Sequence, residues 1–313
     1  MFCARALATE DRANERGGLR LWALRLLLIC GWLFLSPTSA SAAPRTAAAW
    51  AARPSWVQEL APEYALAVDP EATRGGKYTL LDDTRIRLSA GQVERYCRHV
   101  DVAVTQAGVA ALGEIQIEFS PDYQQLRLHR AALVRDGRII DQTKLASLRM
   151  IEQEPDSENR VYSGATTALL VLSDVRPGDL TDISYSVIGT NPILGGRYAG
   201  HVRLGASSKA HRIHVEVESA AGRAALHWTV RGSAPPPRDS VLDGRRVLTW
   251  DLEDVAPRPN EDRIPAEFAS PPELELSEFA DWAEVATWAN ELYPNAPHPT
   301  LAAKARELRS SAP

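Results

Sequence analysis

The sequence has few cysteines, no excess of positive charge and only one long apolar run, and each scarcity excludes a class of protein. Three cysteines among 313 residues cannot build the disulfide framework of a small secreted scaffold. Asp and Glu number 40 against 35 Lys and Arg, so the chain lacks the positive charge that binds nucleic-acid phosphates. Beyond residue 35 no apolar run approaches the length of about 20 residues that crosses a membrane. We therefore expect a globular protein without a nucleic-acid partner.

The first 42 residues have the pattern of an export signal. Basic residues precede the apolar run 26–35, and the small residues 40–42 follow it. This order is typical of a secretory signal peptide, here cleaved before Ala43. A helix of about ten residues rises only about 15 Å, half of a bilayer core of about 30 Å, so the run is too short for an anchor. We expect an exported protein with no stable membrane insertion after cleavage.

Between residues 43 and 272 the apolar residues recur with the two-residue period of half-buried β-strands. Alternating runs are centred on Ile86, Ile117 and Val215, and Asp-Gly pairs at 136–137 and 243–244 favour tight hairpin turns. The pattern predicts about a dozen strands with turns at roughly 8–12-residue intervals, the spacing of a sandwich. We predict a mainly β protein: an antiparallel two-sheet β-sandwich followed by short C-terminal helices.

A continuous apolar run, residues 168–172, predicts a strand that is buried on both faces. The turn residues Pro177-Gly178-Asp179 follow it, and a second alternating run surrounds Tyr185. Because a short turn between two such runs favours a hairpin, we expect these two strands to pair with each other at the centre of the fold.

The period changes to that of a helix after a Pro-rich segment, residues 257–272. Asp281 and Glu284 have the spacing of a capping box, which predicts a helix start, and a second helical stretch covers 301–308. The apolar face of the first helix is formed by Phe279, Trp282, Val285, Trp288 or Ala289, and Leu292. We therefore divide the chain into the signal peptide 1–42, a β-sandwich accessory domain 43–272, and a linker with helices 273–313.

The order of these features resembles a family of exported bacterial proteins in which a β-sandwich domain of unknown function precedes a transglutaminase-like domain. The likeness is carried by Ser55-Trp56-Val57 and by the segments 134–141, 175–186 and 279–293. The resemblance implies a periplasmic protein, and it identifies 273–313 as the start of a truncated transglutaminase-like domain.

The catalytic set of that family is a Cys in a Gly-Asp-Cys-type motif with a downstream His and Asp. No Gly-Asp-Cys occurs between Ala43 and Pro313, so no residue matches the nucleophile and the chain stops before the catalytic residues. We therefore predict that this chain is not itself an enzyme, although a longer parent protein could be a cysteine protease or acyltransferase. No cofactor is expected.

Cys97 and His99 form the one sequence pattern that could support thiol chemistry. They are two residues apart in a predicted strand and so face the same side, where a thiolate and an imidazole could form a dyad. Tyr96 and Val100 belong to the opposite, apolar face, which leaves Cys97 and His99 on the more polar one. A strand cysteine of this kind is more often inert, so this pair remains the weaker hypothesis.

Four histidines lie close together in the sequence and raise the alternative of a metal site or a catalytic His cluster. They are His201, His211, His214 and His227. Because residues three apart in a strand point to opposite faces, His211 and His214 cannot share a ligand, and solvated histidines are the better interpretation. We predict no metal site.

Trp228 and Trp250, on neighbouring predicted strands, are the candidate binding residues. Rigid aromatic rings provide a large contact area for a sugar or a peptide, although packing between the sheets explains both tryptophans more simply. The first functional hypothesis is therefore a non-catalytic module that binds a protein or a cell-envelope polymer, or positions a transglutaminase-like domain. The alternatives are a free-standing enzyme that uses Cys97 and His99 or the His cluster, and a stand-alone carbohydrate- or peptide-binding module.

Overall fold

The computed structural model describes residues 47–65, 68, 73, 75–152, 164–206, 208–257, 272–293 and 298–310. The predicted signal peptide and the centre of the Pro-rich segment lie outside these residues. Within them the protein is mainly β-structure, and its helices are short and mostly C-terminal, so the predicted fold class is confirmed. No helix in the described ranges has the length and apolar character needed to span a bilayer.

The described ranges contain fifteen strands and three α-helices. The strands are β1 Ala48–Trp50, β2 Lys77–Ser89, β3 Gln92–Ala103, β4 Glu114–Phe119, β5 Gln125–Arg135, β6 Arg138–Asp141, β7 Ser147–Glu152, β8 Thr166–Val171, β9 Leu180–Ile188, β10 Ala199–Arg203, β11 Ala210–Ser219, β12 His227–Arg231, β13 Arg238–Leu242, β14 Arg245–Val255 and β15 Glu273–Ser277. The helices are α1 Gln106–Gly113, α2 Trp282–Leu292 and α3 Pro299–Ser310.

These strands form one large sheet and two small ones. The large sheet has the order β1-β5-β9-β3-β2-β11-β14-β13, and β6 also pairs with β5. The first small sheet has the order β4-β8-β7 and the second β10-β15-β12. Most neighbours are antiparallel as predicted, but β1 with β5 and β2 with β11 are parallel. Side-chain alternation is the same in both orientations, so the sequence pattern does not distinguish them.

Two local predictions have different outcomes. The pairing of the run 168–172 with the strand around Tyr185 is wrong, because β8 is the central strand of the first small sheet while β9 belongs to the large sheet. The capping box is confirmed: the Glu284 backbone N–H donates to the Asp281 carboxylate at 2.9 Å, and the Ala280 N–H donates to the Glu284 carboxylate at 2.7 Å. Residues 273–277, at the start of the predicted linker, form β15.

Rows of paired residues cross the inner face of the large sheet, which we define as the face that packs against both small sheets. One row runs from β5 to β14 through Leu128, Tyr185, Cys97, Thr84, Val215 and Trp250. Its two ends are apolar. Leu128 packs in one cluster with Ile117 of the first small sheet, and Trp250 packs in another with Leu276 of the second. The two small sheets therefore cover the two ends of the same face.

The outer face of the large sheet holds a buried ion pair under the segment 51–65. Arg98 donates to the Asp182 carboxylate from Nε at 2.9 Å and from Nη2 at 2.8 Å, and their side chains are only 2% and 0% exposed. Arg130 approaches the same carboxylate at 2.7 Å, and the Tyr64 hydroxyl donates to it at 2.8 Å. The Asp182 carboxylate therefore joins three strands, β3, β5 and β9, to the N-terminal segment.

We expect Asp182→Ala to lower the free energy of unfolding by about 3 kcal/mol or more, because it leaves the buried Arg98 guanidinium without its main counter-charge. Asp239→Ala is the matched control. Asp239 pairs with Arg246 at 2.8 Å, but their side chains are 50% and 43% exposed, so its loss should cost less than about 1 kcal/mol. Urea denaturation followed by circular dichroism measures both. Equal losses for the two variants would contradict the prediction.

Candidate functional site

The candidate functional site is a polar stripe between the two apolar ends of the inner face. Its residues are Asp82 on β2 and Arg95, Cys97, His99 and Asp101 on β3. Cross-strand pairing places Cys97 next to Tyr185 and Asp82 next to His99. None of the five packs in the apolar clusters that join the large sheet to the small sheets. The stripe therefore lies along β3, between the region packed against one small sheet and the region packed against the other.

Cys97 is the centre of a group of polar side chains within the stripe. It is buried, with 3% of its surface exposed. It lies on the same face of β3 as Arg95 and His99, and it is paired with Tyr185 on β9. His99 lies with Nδ1 3.4 Å from Oδ1 of Asp82, and both of these side chains are 35% exposed. The order thiol, imidazole, carboxylate is the arrangement that activates a sulfur nucleophile.

Charges around the thiol favour its ionised form. Burial raises the pKa of Cys97, but Arg95 and His99 together lower it by more, so that the pKa lies below its ordinary value. For His99, burial lowers the pKa while Asp82 and Cys97 raise it, and the result is a pKa of about 9. Burial also raises the pKa of Tyr185 well above its ordinary value, so its hydroxyl stays protonated. Both shifts favour the charged pair, a thiolate beside an imidazolium.

A cleft opens at the end of the stripe occupied by Arg95. Its volume is about 390 Å³, and its lining includes Arg95, Glu118, Asn191, Tyr198 and His201. Arg95 is exposed on this side, and no carboxylate within the described ranges forms an ion pair with it. The guanidinium whose charge lowers the pKa of Cys97 is thus also accessible from the cleft.

The two candidate tryptophans lie in different environments. Trp250 on β14 is 1% exposed and belongs to the core, so it is not accessible to a ligand. Trp228 on β12, in the second small sheet, contacts Trp250 edge-on at 5.7 Å between ring centroids and remains 37% exposed. The predicted strands of these two residues are therefore in separate sheets, and only Trp228 reaches the surface.

Trp228 lines a second concave surface, which we call the Trp groove. This groove has a volume of about 490 Å³ between β12, β15 and the start of α2. Trp282 lines it as well and is 85% exposed. The helical spacing of the sequence places Trp282 on the apolar face of a helix, but it does not predict a position in a groove. The spacing of a helix identifies its apolar face but does not indicate which part of that face is covered.

The four histidines do not converge. His201 lies on β10, His211 and His214 on β11 and His227 on β12. His214 is buried, and burial lowers its pKa, whereas His211 is half-buried beside Glu63 and Asp254. In the ranges that the structure describes, no group of three or more His, Cys, Asp or Glu side chains could hold a metal ion.

Comparison of the fold with solved structures finds a substantial likeness. The structure of a putative protease from Parabacteroides distasonis matches with a TM-score of 0.65 and 18% identity over 76% of this chain. The chain spans 47% of the length of that protein. Aminopeptidase A of Legionella pneumophila matches with a TM-score of 0.36 and 13% identity, over 64% of this chain and 21% of the other. At these identities the likeness concerns the fold.

Comparison of the sequence assigns the family. No curated protein matches the chain. Residues 89–259 match the model of a family described as a domain of unknown function with a solved structure, DUF3857. This match covers more than half of the chain and includes β3 with its four stripe residues, but not Asp82 on β2. It also includes the two strands that flank β8 and most of the large sheet. The chain therefore belongs to the DUF3857 family of domains of unknown function.

Proposed function

We propose that this chain is an exported, non-catalytic β-rich module that positions a transglutaminase-like domain, with α2 and α3 as the surface on which that domain packs. The module acts in the periplasm after removal of the signal peptide. Its partner is a protein surface rich in aliphatic and aromatic side chains. The observation that carries the proposal is the uncovered apolar surface of the two C-terminal helices.

Among the described residues, helix α2 is held to the β-structure at one side. The Trp288 indole N–H donates to the Ile193 carbonyl oxygen at 2.8 Å, and the Trp288 ring packs against Phe279 with 5.6 Å between centroids. Arg197 adds an ion pair to Glu284. These contacts orient the helix relative to the second small sheet, and they leave its other side free to bind a partner.

Neither helix buries a residue within the described part of the chain. The exposed large apolar side chains of the two helices and of the residue that follows α2 are Trp282 at 85%, Leu292 at 38%, Tyr293 at 76%, Leu301 at 69% and Leu308 at 60%. Amphipathic helices of this length are stabilised mainly by packing of their apolar face against other structure. A folded domain that follows or accompanies the β-structure would supply this packing.

The length of the similar protein is consistent with such a domain. This chain covers less than half of the protease-like structure with which it shares its fold. The sequence resemblance to exported proteins with a transglutaminase-like domain supports the same organisation. The catalytic cysteine would then belong to the partner domain, because no Gly-Asp-Cys motif occurs between Ala43 and Pro313.

The size of the native protein in a cell-envelope fraction tests the organisation directly. With an antibody against the β-structure, we expect a species larger than 34.3 kDa by at least one domain, or a stable complex of corresponding mass. N-terminal sequencing should begin at Ala43. A species no larger than 34.3 kDa that is free of any partner would contradict the positioning role and favour a stand-alone binding module.

Trp282→Ala tests the binding surface. Since Trp282 is 85% exposed, its loss should change the free energy of unfolding by less than about 0.5 kcal/mol. Aromatic anchors at interfaces contribute about 2 kcal/mol or more, so the affinity for the transglutaminase-like domain should fall at least about tenfold in isothermal titration calorimetry. Val241→Ala is the control, because Val241 on β13 is 75% exposed and does not line the Trp groove.

Two results would contradict the assignment of this surface as the binding site for the domain. One is an unchanged affinity of the Trp282→Ala variant for the domain. The other is tight binding of free oligosaccharides or short peptides that depends on Trp228, since this would make the Trp groove a ligand site of a stand-alone module. Tryptophan fluorescence with and without Trp228→Ala distinguishes the second result, because Trp228 lies in that groove.

A further inference from the structure

We propose that Cys97 is a peroxide-reactive thiol, oxidised to a sulfenic acid by a small hydroperoxide with His99 as the proton donor. This site lies in the polar stripe and makes no use of the helices or the Trp groove. It is therefore independent of the proposed positioning function, and either proposal can fail without the other.

Three side chains with donor groups surround the buried Cys97 by their places in the sheet. Arg95 and His99 flank it on the same face of β3 and carry positive charge, and Tyr185, paired with it on β9, has a protonated hydroxyl. Cations next to a cysteine stabilise its thiolate, which is the form that attacks peroxides. The same guanidinium and hydroxyl can donate to the oxygens of a peroxide as it approaches the sulfur, and so help to polarise the O–O bond.

Asp82 positions the imidazole for this step. Its carboxylate lies 3.4 Å from Nδ1 of His99, which holds the ring next to the sulfur and favours its protonated form. Asp101 adds a more distant negative charge, and it is itself bonded by Thr79 at 2.5 Å and paired with Lys77 at 3.8 Å. Asp82 is thus a positioning residue, since it acts on the sulfur through His99.

The reaction balances with hydrogen peroxide as the oxidant. The thiolate sulfur attacks one peroxide oxygen, an S–O bond forms and the O–O bond breaks. The electron pair of the broken bond leaves with the other oxygen, which takes the imidazolium proton of His99 and departs as water. The sulfur is oxidised by two electrons to Cys97–SOH, and the peroxide is reduced.

Burial determines the size of the oxidant. Cys97 is 3% exposed, which leaves no space for a peptide or a sugar at the sulfur. A hydroperoxide has the dimensions of one or two water molecules, and it can reach the stripe beside the half-exposed His99 or through the cleft of about 390 Å³ at Arg95. The same burial slows the attack of bulky thiols on the sulfenic acid.

The titration of His99 tests its pairing with Asp82. By NMR we expect His99 to lose its proton with a midpoint of about 9, so it is charged at neutral pH. Asp82→Asn should lower this midpoint by about one pKa unit or more, because it removes the nearest negative charge. Asp243→Asn, in an exposed hairpin turn, should leave it unchanged. An ordinary midpoint near 6.5 in the unaltered chain would contradict the pairing.

The decisive experiment measures oxidation of Cys97 itself. In the full chain with Cys3→Ser and Cys30→Ser, Cys97 is the only thiol. The folded protein is treated with hydrogen peroxide and then with dimedone, and the sulfenic acid adduct is followed by mass spectrometry against the urea-unfolded chain. We expect the folded chain to react at least about tenfold faster at pH 7, since a lowered thiol pKa raises the thiolate fraction.

Variants distinguish activation of the Cys97 thiol by its neighbours from simple access of peroxide to the thiol. His99→Gln and, independently, Tyr185→Phe should slow the reaction at pH 7, and His99→Gln should shift the pH profile of iodoacetamide labelling upward. His227→Gln, an exposed strand histidine outside the stripe, is the matched control. Circular dichroism verifies folding, and Asp82→Asn replaces His99→Gln if the latter does not fold. A folded chain that reacts no faster than the unfolded one, or a rate unaffected by these changes, overturns the proposal.

Discussion

Coverage of strand β3 on both faces is the constraint on which the rest of this structure depends. Polar groups on the covered parts of such a strand must find partners inside the protein, because water does not reach them. On the outer face Arg98 pairs with Asp182, and on the inner face Cys97 lies between Arg95 and His99, whose charges lower its pKa. The first arrangement connects three strands to the N-terminal segment, and the second places a thiol between two cationic side chains at the centre of the sheet.

The division of the second layer into two small sheets explains why the inner face is both stable and chemically unusual. Each small sheet buries an apolar end of the large sheet, around Leu128 on one side and Trp250 on the other. A single continuous layer would require apolar residues along β3 as well. With two separate layers, Arg95 and His99 retain contact with solvent while Cys97 stays buried. The fold therefore shields the sulfur without isolating its partners.

The two proposed sites place different physical demands on the protein. The helix surface around Trp282 is apolar and exposed, so a large protein surface can bury it, and the free energy comes from the apolar area removed from water. The stripe around Cys97 is charged and enclosed, so only a small molecule reaches it, and its reactivity comes from electrostatics. A module with a recognition surface and a separate thiol can respond to an oxidant without altering its docking face.

The sequence by itself determined the local structure: the alternation around Ile86 and Ile117 specifies strands, and Asp281 with Glu284 specifies a helix start. These signals depend on neighbours in the chain. Only the tertiary structure decided that β8 and β9 lie in different sheets, that Trp250 is buried and Trp282 exposed, and that Asp82 joins Cys97 and His99. Alternation marks two faces of every strand but does not specify which strand lies beside it or which layer covers it, since both depend on contacts between residues distant in sequence.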